Sequence, residues 1–140
     1  MSFEAALYYE IAHNSDALVL VVGTGAYPIG ELPQGTARPH LTWQRIDSIR
    51  HYTQTDGSTV EARYQFNCVA DSRNAARALA ATVREKFSRY RDAAMGGGAA
   101  TAKVHLVVVE DERDDFEGPT DATERGPQAV TVDLIFFYEE

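Results

Sequence analysis

At 140 residues, with 44% hydrophobic and 24% charged content, the chain reads as one ordinary globular domain, 1–140. It can bury roughly two-thirds of its unfolded surface without a disulfide or metal staple. Its net charge of −8 and pI of about 4.9 exclude nucleic-acid binding through the overall field, because counterion release rewards cationic proteins. A single cysteine, Cys68, excludes an internal disulfide and a zinc site built on cysteine pairs, and fits a reducing compartment. The opening MSFEAALYYE lacks the basic run of a secretory leader, and the longest apolar run, Ala17 to Val22, is too short for a membrane span.

Ser2 to Asn14 predicts a first helix, capped by Ser2, with Phe3, Ala6, Leu7 and Ile11 at helical spacing. Ala17 to Val22 is short, apolar and β-branched, and fits a buried strand or a helical turn equally. Gly23, Gly25, Pro28, Pro33, Gly35 and Pro39 impose loops around a short extended piece at Ala26 to Ile29. From Leu41 the period is two, predicting a strand to Thr55 with a bend. Asp56-Gly57 is a hairpin turn signal, since glycine tolerates the positive φ of a type I′ turn. On the return strand Val60, Ala62, Tyr64, Phe66, Cys68 and Ala70 face one way, and Glu61, Arg63, Gln65 and Asn67 the other.

Asp71 or Ser72 caps a predicted long helix to about Asp92, with Ala76, Leu79, Ala80, Val83, Phe87 and Tyr90 as its buried stripe. Ala93 to Ala100 reads as a flexible glycine-rich loop. Lys103 to Val109 and Ala129 to Tyr138 read as strands, with an acidic loop between them. The fold class is α+β: a mostly antiparallel sheet with a long β-hairpin, packed on one face by the long helix and the N-terminal helix.

Two charged stretches stand out. Glu110 to Glu124 holds eight carboxylates and one arginine. Its spacing does not match a calcium-binding loop, and adjacent like charges on a loop are poorly placed for acid–base catalysis. Arg73 to Arg91 holds six basic residues and one acid, Glu85. Arg73, Arg77, Arg84 and Arg91 fall along one helical edge beside the buried stripe. His13, His40, His51 and His105 match no ligand spacing, GTGAYPIG is no phosphate loop, and no nucleophile motif is present. The bland reading of both stretches is solvated surface. The sharper one is complementary charge between copies, because a head-to-tail contact joins two different patches of one chain and closes into a ring when its rotation allows.

The series LPQGTARPHLTWQRI, a hairpin, ARYQFNCVADSRNAARALAATVREKF, VVVEDERDDFE and VTVDLIFFY resembles the tail terminator, or tail completion, proteins of long-tailed bacteriophages and gene transfer agents. The match runs through Leu32-Pro33-Gln34-Gly35, Gln44-Arg45-Ile46, Cys68, Ala70-Asp71, Ala76 to Ala80 and Glu110 to Asp114. Asn67 and Val69 stand where the family commonly carries Asp and Trp. The resemblance implies a structural virion protein, made in the bacterial cytoplasm, with no reaction, cofactor, metal or membrane. It implies a hexameric ring at the head-proximal end of the tail tube that stops tube polymerisation. The tube protein lies on one side, a head-completion or stopper protein on the other, and DNA passes through the channel without specific binding.

On this reading Glu112, Asp114, Asp115 and Glu117 pair with the Arg73, Arg77, Arg84 and Arg91 edge of the adjacent subunit. The nearest alternative is another neck component, a head-closure or connector protein. More distant ones are a small metal-dependent enzyme using the 110–117 cluster and a binding module that adds a strand at an exposed sheet edge.

Overall fold

Strict alternation of apolar and polar side chains produces the two strands at the centre of the molecule. Ser58–Ala70 and Gln128–Glu139 pair antiparallel from Thr59↔Glu139 to Ala70↔Gln128. Each buries every second residue: Val60, Ala62, Tyr64, Phe66, Cys68 and Ala70 on the first, Val130, Val132, Leu134, Phe136 and Tyr138 on the second. The computed structural model describes residues 3–13, 25–28, 30, 31, 39–52, 58–97, 100–116 and 128–139. In chain order the elements are α1 (Phe3–His13), β1 (Ala26–Pro28), β2 (His40–Tyr52), β3 (Ser58–Ala70), α2 (Arg73–Ser88), β4 (Arg91–Gly97), β5 (Ala100–Phe116) and β6 (Gln128–Glu139). The predictions for Ser2, Ala17 to Val22 and Asp56-Gly57 lie outside the described residues.

The strands form one six-stranded sheet in the order β1-β2-β3-β6-β5-β4. β1 runs parallel to β2, and the other pairings are antiparallel, so the sheet is mixed and the class is α+β. β2 carries a register shift between Arg45 and Asp47, a bulge of the kind that bends a strand.

α2 starts where Ser72 accepts a hydrogen bond from the Ala75 N–H at 3.1 Å, satisfying one orphan donor of the first turn. Ala76, Leu79, Ala80, Val83 and Phe87 are buried. Phe87 stacks on Phe66 at 5.5 Å and meets Phe136 edge-on at 5.5 Å. From α1, Phe3 stacks on Tyr138 at 4.0 Å and tilts against Phe136 at 5.3 Å. Phe136 is therefore the aromatic hub on which side chains from both helices converge.

Three expectations are corrected. The long helix stops at Ser88, not near Asp92, because Arg89 closes it through Tyr90 N–H to Phe87 C=O at 3.2 Å and Tyr90 turns into the core. Of the glycine-rich stretch expected as a loop, Ala93 to Gly97 is strand β4 and Ala100 opens β5, while residues 98 and 99 lie outside the described residues. Gly96 takes a positive φ of 93°, and a Cβ on Gly97 would stand 2.4 Å from the Tyr9 ring, so these glycines let α1 approach the strand. The acidic stretch 110–116 is likewise strand: β5 continues through Glu110 to Phe116, paired to β6 throughout.

Candidate assembly surface

Strand geometry alone would alternate the carboxylates of β5 between the two sheet faces. Two register shifts, between Val104 and Leu106 and between Val109 and Asp111, change that parity. Val104, Val107 and Val109 oppose the inward Tyr138, Phe136 and Leu134. After the second shift it is Glu112 and Asp114 that oppose Val132 and Val130. The extra residue, Glu110, thus turns Glu112 and Asp114 towards α2 and leaves Asp111 and Arg113 on the other face.

Arg77 and Arg84 of α2 meet those carboxylates within the same chain. Arg77 donates to both Asp114 carboxylate oxygens, at 3.3 and 2.5 Å, a bidentate fork. Arg84 Nε lies 3.2 Å from Glu112 Oε2. The Arg77 hydrogen bond holds the Asp114 carboxyl below its ordinary value, and Asp114 raises Arg77 in return. All four side chains are substantially exposed, at 32–54%. For these two pairs, the complementarity expected between neighbouring copies is met inside one chain.

The remaining predicted site residues scatter. Arg73 lies on the first turn of α2, exposed. Arg91 does not share the helical edge: it is on β4, opposite Leu106, on the sheet face away from the helices. Asp115 is in β5 opposite Ala129, and Glu117 lies outside the described residues.

The outer face carries its own charge lattice. Arg63 donates to Glu110 Oε1 at 2.6 Å, and Arg113 reaches Asp111 at 3.0 Å and Asp133 at 3.2 Å. Leu106 and Val108 are more than a third exposed beside it. His51 pairs with Glu61 and His105 with Asp92, each at 3.0 Å. Cys68 is buried, and burial, with Glu112 second, pushes its thiol up to about 12, a poor nucleophile. Among the described residues no three His, Cys, Asp or Glu side chains converge to hold a metal ion.

Sequence reasoning missed one polar cluster. Glu10 of α1 and Lys86 of α2 are buried together, Nζ to Oε1 3.5 Å. Glu10 also accepts from the Tyr90 hydroxyl and, at 3.0 Å, from the Gly96 N–H. The signal was present: Glu10 falls three residues after Leu7 and Lys86 three after Val83, on the buried stripes.

A second charged region lies at the other end of the sheet. A cleft of about 490 Å³ is lined by Phe3, Glu4, Arg45, Ser48, Arg50, Val60, Tyr64, Lys103, Tyr138 and Glu139, among others.

No curated protein matches the sequence. Among solved structures, a chain in "Virion of native gene transfer agent (GTA) particle" superposes with a TM-score of 0.72 at 16% identity, over 98% of this chain and 94% of that one, which establishes a shared fold. The family model "Tail completion protein gp17" matches residues 9–126, which span the end of α1, α2 and strands β1 to β5 and stop before β6. On that match the chain belongs to the tail completion protein gp17 family.

Proposed function

We propose that this protein is a structural component of a phage or gene-transfer-agent particle. Six copies form a ring at the head-proximal end of the tail tube, stop its polymerisation and offer a docking surface to the neck. The observation that carries this reading is family membership across residues 9–126. The shared fold with a chain of a gene-transfer-agent virion supports it. Tube protein contacts one side of the ring and a head-completion protein the other, while DNA passes through the centre without specific binding. No reaction is assigned to the chain.

The surface built from Arg73, Arg77, Arg84, Glu112 and Asp114 is one side of the subunit contact in this reading, and Asp115 and Glu117, next along the chain, are expected to add to it; Arg91, on the opposite sheet face, is left out of it. Its internal ion pairs hold the end of β5 against α2, which presents a preformed patch rather than loose charges.

Native mass spectrometry across a concentration series, with and without purified tail tubes, tests the ring. A six-fold species that grows with concentration or on tube ends is expected. A protein that stays monomeric in both settings overturns the reading.

A further inference from the structure

β4 stands at one end of the strand order, and among the described residues it pairs with β5 alone. Its Arg91, Asp92 and Ala94 are exposed. A terminal strand presents a row of backbone donors and acceptors on which a strand of another chain can pair, and proteins close such edges with charge, proline or a covering element. β4 has no proline, and its charges stand only at Arg91 and Asp92. An antiparallel pairing of two copies of β4 centred on Ala94 sets Asp92 opposite Gly96 and Arg91 opposite Gly97, so no like charges meet.

One backbone donor of that edge is already taken. Gly96 stands opposite Thr101 of β5 but gives its N–H to Glu10 Oε2 of α1 at 3.0 Å. N–H groups two residues apart in a strand point the same way, so Ala94 presents its own N–H on this same side. The residue before Glu10 shows how closely α1 approaches: the Tyr9 ring fills the space of a Gly97 Cβ, 2.4 Å from where that atom would stand. Glu10 is held in place by the Lys86 ammonium at 3.5 Å and by the Tyr90 hydroxyl, and is buried.

In the pairing centred on Ala94, the Gly96 N–H would bond the Asp92 carbonyl of the other copy. Glu10 removes that donor and sets a carboxylate where the carbonyl oxygen would have to come. A donor already bonded gains nothing from a new partner, and a carbonyl brought against a carboxylate loses its water without a replacement. The two-fold symmetry of the pairing repeats the effect at its other end.

We propose that Glu10 closes the β4 edge against pairing with β4 of a second copy. Pairing at this edge is a contact separate from the Arg77 and Arg84 surface, and its closure holds whether or not copies form the ring.

Two double variants of the full chain, each also carrying Ala94→Cys, test it. Glu10→Leu with Lys86→Met removes the acceptor together with both buried charges, so neither charge is left uncompensated. Glu10→Gln with Lys86→Met removes the same charges and keeps an oxygen that can accept from Gly96. Directly opposed residues of an antiparallel pair have Cα atoms about 5.5 Å apart, within disulfide reach. The native Cys68 is buried and does not compete. Under mild oxidation the Glu10→Leu chain should give about tenfold more dimer linked through position 94 than the Glu10→Gln chain. Equal yields from the two folded chains, high or low, overturn the proposal. Hydrogen exchange on the wild-type chain decides the matter even if a variant does not fold. The Gly96 amide should exchange at least about tenfold slower than an unstructured amide, and an unprotected Gly96 overturns the proposal.

Discussion

Glu10 and Lys86 are the residues whose chemistry most departs from their surroundings. Each is almost fully inaccessible, and the carboxylate binds α1 to the ends of α2 and β4 through Lys86, Tyr90 and the Gly96 N–H. A buried ion pair is weak evidence of net stabilisation, but breaking one leaves an uncompensated charge in the core. We expect Lys86→Ala and Glu10→Ala each to cost roughly 3–5 kcal/mol. The double replacement Glu10→Gln with Lys86→Met should cost much less than the sum of Glu10→Gln and Lys86→Met. Denaturant unfolding of the four chains of that cycle checks this, and additive costs would show that the two side chains do not act as a pair.

At the scale of elements, β5 decides the surface chemistry. A strand that kept strict alternation from Val107 would have set Asp111 and Arg113 against the helix. The bulge at Glu110 instead delivers Glu112 and Asp114 to Arg84 and Arg77. A prediction on pH follows from that pairing. The hydrogen bond from Arg77 lowers the folded-state Asp114 carboxyl below its ordinary 3.8. Its contribution is complete above that ordinary value and is lost as pH falls through the lower folded value. Both groups are exposed, so the effect on stability is screened by solvent and the titration itself is the better readout. In a carboxyl NMR titration, Asp114 should have its midpoint below 3.8 in wild type and move up towards 3.8 in Arg77→Ala. An unchanged midpoint would show that the fork is absent in solution.

On the scale of the whole molecule, the charges are segregated: ion-paired carboxylates and acidic residues at one end of β5, cations over the helix-side end of β2 at the other. A ring joined through exposed charges should loosen with salt, since the screening length falls from about 30 Å at 0.01 M to about 3 Å at 1 M. We therefore expect the concentration at which copies associate to rise across a sodium chloride series in sedimentation velocity runs. A flat response would assign the contact to apolar surface, for which Leu106 and Val108 on the outer face are the available candidates.

Much of this protein was legible in one dimension. Period-two alternation from Val60 to Ala70 and the 3.6-residue stripe from Ala76 to Phe87 report side-chain burial directly, so β3, β6, α1 and most of α2 follow from the sequence. The series of motifs also carried the family, because order and spacing survive when single residues do not. Glycine runs and acidic runs were misread as loops. Their strand character comes from pairing that composition does not reveal: with Thr101 and Ala100 of the adjacent β5 for Gly96 and Gly97, and with β6 for Glu110 to Phe116. The helical stripes put Glu10 and Lys86 on buried faces, but only the tertiary arrangement made them partners. The inward turn of Glu112 and Asp114 was decided by tertiary structure alone, because it depends on a register shift that no local pattern of residues encodes.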